Sequence, residues 1–212
     1  MRPKKNGPPG QIPRRLFCVP AQKSAGKDKM GEKCAIISHT QYLAGKGTFS
    51  MRDLRRMDRK LSEEDALTVL RDCEYGFLCT VNEDGSPYAV PMCAALVGRT
   101  IYFHCARAGQ KLENLTARPR ACFSCVLYAE NQPSKFTYVY ASCVAEGNVR
   151  LVTDEAERQA GMRAICEKYS GDWMDGPEHE RAMRGMPAVV MLAMEVDAFQ
   201  GKGNKGRLVE GM

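Results

Sequence analysis

From about residue 75 onward, apolar and polar positions alternate mostly with period two, and helical spacing interrupts that alternation at only a few places. Period two marks strands with one buried face. Phe77–Asn82 and Pro87–Cys93 are such runs, and the Asp84-Gly85 pair between them predicts a hairpin. Ala94–Val97 and Thr100–Cys105 flank Gly98-Arg99 and predict a second one. Two longer strands follow, Ala121–Tyr128 and Phe136–Leu151, the latter bent at Gly147. Ala188–Phe199 is the last strand, and the glycine-rich stretch from Gly201 is expected to fray. Helical spacing is found at Ala66, Leu67, Val69 and Leu70, behind Ser62 and Asp65 as a capping pair. It recurs near Lys111–Ala117, from Thr153-Asp154-Glu155 to about Tyr169, and around Glu178–Arg184. Antiparallel neighbours with few helices predict a mainly β (α+β) fold, a small closed or split antiparallel barrel with peripheral helices.

Residues 1–50 show no sustained period. They are rich in Lys, Gly and Pro, and carry ten Lys and Arg against Asp28 and Glu32, whereas the remainder is close to neutral. Too little apolar surface offsets the entropy of ordering, so a disordered basic tail is expected. A plainer account is a start at Met51 or Met57, which would make residues 1–50 a mis-assigned extension. The organisation expected is thus that segment, a domain over residues 51–205, and a flexible end at 206–212. A near-neutral domain lacks the basic face of a nucleic-acid binder. No apolar run approaches the ~20 residues of a membrane span, and the reading is of a soluble, cytoplasmic protein.

The ten Cys do not resemble a disulfide framework, since most lie within apolar, periodic segments and fit a reducing compartment. Cys122 and Cys125 have C-x-x-C spacing, but on a strand their odd separation sends them to opposite faces. They can neither share a metal nor bridge to one another, and no metal site is expected. No Ser/His/Asp arrangement, paired carboxylates or nucleotide-binding glycine motif stands in the required context.

The stretch that carries chemistry runs from Ile101 to Leu112. A strand passes through Gly109 into a helix at Lys111, which offers unpaired amides, a positive dipole end and a cation to a phosphate. On the strand before it, Ile101, Phe103 and Cys105 share one face, while Tyr102, His104 and Ala106 share the other. Strand–turn–helix with Gly and Lys is common, so spacing alone leaves a plain structural turn open. Phe136, Tyr138, Tyr140 and Ser142 fall on one face of the next long strand; that face suits a subunit interface, the wall of a planar site, or rings simply covered by a helix. Pro91 within Tyr88–Cys93 marks an edge or a bulge.

Several of these segments together resemble one family. Arg55-Arg56-Met57-Asp58-Arg59-Lys60-Leu61-Ser62, Tyr75-Gly76-Phe77-Leu78-Cys79-Thr80-Val81 and Asp84-Gly85-Ser86-Pro87-Tyr88-Ala89-Val90-Pro91-Met92 begin the resemblance. Ile101-Tyr102-Phe103-His104-Cys105-Ala106, Gly109-Gln110-Lys111-Leu112, Tyr138-Val139-Tyr140-Ala141-Ser142 and Val196-Asp197-Ala198-Phe199-Gln200-Gly201-Lys202 complete it. Over roughly residues 52–205 the chain is similar to the pyridoxamine 5′-phosphate oxidase-related flavoproteins, and in particular to the 5-nitroimidazole-resistance (Nim-type) branch.

The resemblance implies a split-barrel homodimer with FMN, or sometimes FAD, at the subunit interface. Lys111 and the helix start would hold the flavin phosphate, with His104, Cys105 and Ala106 beside it. Val90, Pro91, Met92 and Cys93 would line the isoalloxazine ring, largely through their backbone, and Tyr140 and Ser142 would close the site from the other subunit. His104 carries over as the active-site histidine. The arginine-rich C-terminal motif that pyridoxamine phosphate oxidase uses for its substrate is missing, which speaks against vitamin B6 oxidation. The expected function is a flavin-dependent oxidoreductase that reduces a small acceptor, nitroaromatics included, with reduced nicotinamide as a possible donor. The alternatives are a flavin-binding protein without turnover and, with His104 as ligand, a haem-binding one.

Overall fold

The computed structural model describes residues 51–174, 176–204 and Leu208. The expectations for residues 1–50, and almost all of those for 206–212, lie outside the described residues. No helix among the described residues is long and apolar enough to cross a membrane.

Strands β1 (Gly76–Val81), β2 (Pro87–Met92), β3 (Ala95–Val97), β4 (Thr100–Ala106), β5 (Arg120–Gln132), β6 (Thr137–Leu151) and β7 (Val189–Gly203) form one antiparallel sheet in the order β2-β1-β5-β6-β7-β4-β3. Among the described residues four α-helices accompany it: α1 (Glu63–Asp72), α2 (Gln110–Ala117), α3 (Glu155–Ser170) and α4 (Pro177–Arg184). Start signals act as the side chains dictate. Ser62 Oγ accepts from the Asp65 amide at 3.0 Å to begin α1, and Asp154 accepts from the Glu157 amide at 2.8 Å to begin α3.

One sheet face encloses the main core, where Leu78, Ile101, Phe103, Phe123, Leu192 and Met194 are buried beneath Leu61, Ala66, Val69 and Leu70 of α1 and its approach. Phe103 and Phe123 meet edge to face with centroids 5.2 Å apart. On the opposite face α3 covers the β3-β4-β7 end, packing Met162 and Ile165 with Ala95, Met191 and Ala193. Gly161 permits this: a Cβ there would lie 2.7 Å from the Tyr102 ring. Over β2, β1 and β5 the same outer face leaves Phe77, Val81 and Val126 exposed.

The predicted bend at Gly147 is present, as a register shift where β6 meets β7. A Cβ at Gly147 would collide with the Glu195 carbonyl. Pro91 lies on β2, an edge strand, opposite Phe77 without a break in register, so its missing N–H faces no partner strand.

Three expectations are corrected. The β5–β6 hairpin is longer than its apolar pattern, with β5 continuing to Gln132 because ladder pairing there needs no buried face. Phe136 is not on the strand: it caps a 3₁₀ turn at the hairpin tip with φ 49° and is almost wholly exposed. The final strand does not fray at Gly201 but pairs with β6 to Gly203, and the Leu61 amide donates to the Gly201 carbonyl at 3.1 Å.

Candidate functional site

The end of β4 and the start of α2 meet at Gly109. Its φ of 131° is a conformation that L side chains rarely adopt, and it turns the chain without a side-chain cap. The Leu112 and Glu113 amides close the first turn on the Gly109 carbonyl at 2.9 and 3.3 Å. The Gln110 and Lys111 amides therefore precede the first intrahelical bond, at the positive end of the helix dipole. Lys111 is half-buried, and its ammonium partly offsets the burial that pushes the Cys105 thiol up. A cation and two leading amides thus stand together, which is the donor chemistry a phosphate requires.

A polar network that the sequence reading did not single out fixes this cradle against the first hairpin. Gln110 Nε2 and Asn114 Nδ2 both donate to Asn82 Oδ1, at 2.9 and 2.8 Å. Asn114, almost fully buried, also donates to Thr80 Oγ1 at 3.0 Å, and Asn82 Nδ2 donates to Ser86 Oγ at 2.9 Å. Arg118 donates to the carbonyls of Asn82 and Glu83. Helix α2 follows β4 yet is bonded to the β1–β2 turn, so it joins the two ends of the sheet. The only signal in sequence was an Asn at a core-facing helical position, which requires a polar partner.

The structure separates the expected site residues by face. His104 is exposed on the outer face of β4, opposite Met191 of β7, and Ala106 is exposed beyond it. Tyr102 on the same face lies under α3, its hydroxyl donating to Glu157 Oε1 at 3.0 Å. Cys105 points into the barrel, so it offers a ligand its backbone. On β2, Val90 is half-buried, Pro91 is exposed and Met92 is buried, and Cys93, just past its end, is exposed. The corner after β2 is held by α3: the Ala94 amide donates to the Tyr169 hydroxyl at 3.0 Å, and the Ala94 carbonyl accepts from Lys168 Nζ at 2.7 Å. Tyr140 and Ser142 lie on β6, where Arg59 donates to the Tyr140 hydroxyl at 3.4 Å and Ser142 donates to the Lys202 carbonyl at 3.2 Å.

The order β2-β1-β5-β6-β7-β4-β3 places β7 between β6 and β4, so Tyr140 and Ser142 share no strand pair with His104. Crevices of about 400 Å³ beside α3 and α4 and about 190 Å³ behind α2 are lined by neither His104 nor Lys111. His104 opens to solvent on the outer face of the sheet.

An antiparallel split barrel with a helix that starts at a strand–glycine junction defines a class of proteins. The sequence profile of that class, pyridoxamine 5′-phosphate oxidase, matches residues 62–203, two thirds of the chain, and the chain belongs to this family. A comparison with curated proteins finds no match. Among solved structures the chain is similar to a candidate 5-nitroimidazole antibiotic resistance protein from Bacteroides thetaiotaomicron, at 21% identity over 66% of this chain and 83% of that one, with a TM-score of 0.56. It is similar to a conserved hypothetical protein from Mycobacterium tuberculosis, at 19% identity over 76% and 97% of the two chains, TM-score 0.59. It also resembles a flavocytochrome from Azotobacter vinelandii, at 17% identity over 74% and 75%, TM-score 0.57. At these identities the likeness is one of fold.

Proposed function

We propose that this protein is a flavoprotein oxidoreductase that holds FMN between two copies of the chain and passes electrons to a small acceptor, nitroaromatic compounds being the first class to test. The observation that carries the reading is the cradle itself: Lys111 and the leading amides of α2, braced by Asn82 and Asn114, following a strand that carries an exposed His104. These residues fit a flavin phosphate. Val90, Pro91, Met92 and Cys93 lie on an edge strand and its corner, whose backbone is free to meet a ring. Flavin supplies hydride and electron transfer when bound, while the protein binds, orients and tunes it.

The uncovered outer face supports the homodimer. Phe77 is 46% exposed and Val126 49%, an apolar surface that a second copy would bury. Tyr140 and Ser142 then belong to the partner's side of the site, which their distance in sheet order from His104 favours. His104 is the group placed to donate a hydrogen bond or proton to an acceptor as negative charge develops on it. Reduced nicotinamide is the proposed donor.

The deciding experiment is the visible spectrum of the purified protein before and after denaturation, followed by turnover with reduced nicotinamide and a nitro acceptor. Released flavin bands with turnover that falls in His104→Ala, at unchanged flavin content, are expected. Flavin without turnover across an acceptor panel would leave a flavin carrier, and chromatography of the released cofactor separates FMN from FAD. A Soret band would replace flavin by haem. A colourless protein that takes up no added FMN would overturn the reading.

A further inference from the structure

The segment that leads into α1 brings a group of cations onto the outer face beside Tyr140 and Ser142. Residues 52–61 run along the C-terminal part of β7, beyond the stretch that β4 pairs. Gln200 Nε2 donates to the Arg52 carbonyl at 3.0 Å, and the Leu61 amide donates to the Gly201 carbonyl at 3.1 Å. Between these two anchors, Lys60 forms an antiparallel bridge with Lys202. Gly201 faces α1, where a Cβ would lie 2.6 Å from that of Ala66, so Lys202 points the other way, outward. Residues directly opposite in an antiparallel pair share a face, and Lys202 is opposite both Lys60 and Ser142. The two lysines therefore stand side by side on the outer face. Arg59, half-buried, reaches the Tyr140 hydroxyl at 3.4 Å. Tyr138, two residues before Tyr140 on the same strand face, is exposed.

Like charges placed directly opposite repel, and no acid relieves these. Among the described residues, Arg59, Lys60 and Lys202 form no ion pair. Asp58, the nearest acid in sequence, is held by Arg56 in a two-point contact at 2.8 and 2.5 Å. Glu146, farther along the same face of β6, is held by Arg120 at 3.3 Å. Three cations without a counter-charge, next to two tyrosine rings, suit a nucleotide: the charges meet a phosphate and the rings meet a base.

We propose that Arg59, Lys60 and Lys202 recognise a phosphate of the nicotinamide donor and select the form that carries a 2′-phosphate. This rests on the flavin reading above, in which Tyr140 and Ser142 close the site of the second copy. The flavin phosphate is already provided for by Lys111 and the leading amides of α2, so a separate group of cations serves another reactant. A nitroaromatic acceptor carries no phosphate, whereas the donor does. Its pyrophosphate is common to both forms of the dinucleotide. The 2′-phosphate is a terminal dianion, and two lysine point charges with a guanidinium at an open rim match it. A nucleic acid is the weaker match, because the domain as a whole is close to neutral and offers no continuous basic face.

The test titrates the purified full-length protein with 2′,5′-ADP and with 5′-AMP in a calorimeter, which requires no turnover. The wild-type protein is expected to bind 2′,5′-ADP about tenfold more tightly, with a preference that shrinks as salt is raised. Lys60→Met and Lys202→Met should each weaken 2′,5′-ADP binding about tenfold and change 5′-AMP binding far less. Equal affinity for the two nucleotides, binding of neither, or variants that bind 2′,5′-ADP as the wild type does would overturn the proposal. So would a single-stranded DNA oligonucleotide that binds more tightly than 2′,5′-ADP through the same lysines. Flavin content, read from the visible spectrum, keeps the two readings apart. A colourless protein that still prefers 2′,5′-ADP removes the flavin alone, and a yellow one without the preference removes the phosphate strip alone. Because the wild-type protein reports the preference by itself, a variant that fails to fold does not leave the outcome open.

Discussion

The outer face of the sheet is built in two ways. Over β3, β4 and β7 it is roofed by α3, and Met191, Ala193 and Met162 are buried there. Over β2, β1 and β5 no helix among the described residues covers it, and Phe77, Val81 and Val126 stand exposed. The residue types are similar, so composition does not explain the contrast; what differs is whether the chain provides its own roof. The roofed half is finished as a monomer. The bare half is stable only at the cost of wet apolar surface, which a second copy and a planar ligand would remove. His104 lies within the roofed half yet is exposed, two residues beyond the Tyr102 that α3 covers on β4.

The largest effect that tests this contrast comes from two phenylalanines. Phe103 is fully buried against Phe123, and Phe103→Ala should cost about 3–5 kcal/mol of stability through lost burial and a residual cavity. Phe77→Ala should change monomer stability by no more than about 0.5 kcal/mol, the usual range for a surface site. Phe77→Arg, placing a charge in the proposed interface, should instead shift the protein toward monomer in sedimentation. Urea unfolding together with sedimentation separates the two kinds of apolar position; equal stability losses at both would show that the bare half is core, not interface.

The strands, both short hairpins and the four α-helices of the described residues were legible because each is encoded locally, by alternation, by Asp84-Gly85 and Gly98-Arg99, by the Ser62 cap and by the acids of Thr153-Asp154-Glu155. The facing of Cys122 and Cys125 followed from period two alone, and Cys125 is indeed buried while Cys122 is half-buried. What was not legible depends on contacts far apart in sequence. The Asn82–Asn114 network spans 32 residues and gives no periodic signal. Lys168 meets Cys73 from 95 residues away, and only the packing of α3 against the end of α1 brings them together. Phe136 misled because an aromatic adjoining an alternating run matches the strand pattern, whereas the turn after Pro133 places it in the left-handed region at the tip.

A middle-sized effect sharpens the seam between the halves. If the cradle holds a phosphate, Lys111→Met should weaken FMN binding about 10- to 100-fold, the loss of one charge-assisted contact of about 1.5–3 kcal/mol. Riboflavin, which has no phosphate, should bind wild type and variant alike. Fluorescence titration with both ligands checks it, and an equal loss for the two would mean that Lys111 supports the fold rather than the phosphate.

The smallest effect concerns how the roof is fastened. Glu157 of α3 accepts from Arg150 at 2.6 and 3.0 Å and from the Tyr102 hydroxyl at 3.0 Å. The Arg150 guanidinium, against burial and with help from Tyr102, holds its carboxyl below the ordinary value of 4.5. A depressed carboxylate stabilises the fold fully above its unfolded value, and that contribution is lost as pH falls through the folded one. Because Arg150 is about half exposed, screening limits the contribution to roughly 0.5–1 kcal/mol. Glu157→Gln keeps an acceptor for Tyr102 but removes the charge, so it should destabilise by that amount near about pH 7 and by almost nothing near about pH 3. Urea midpoints of wild type and variant at the two pH values measure the difference. Convergence at low pH would assign the fastening of α3 to the ion pair, whereas a constant gap would assign it to packing over Tyr102.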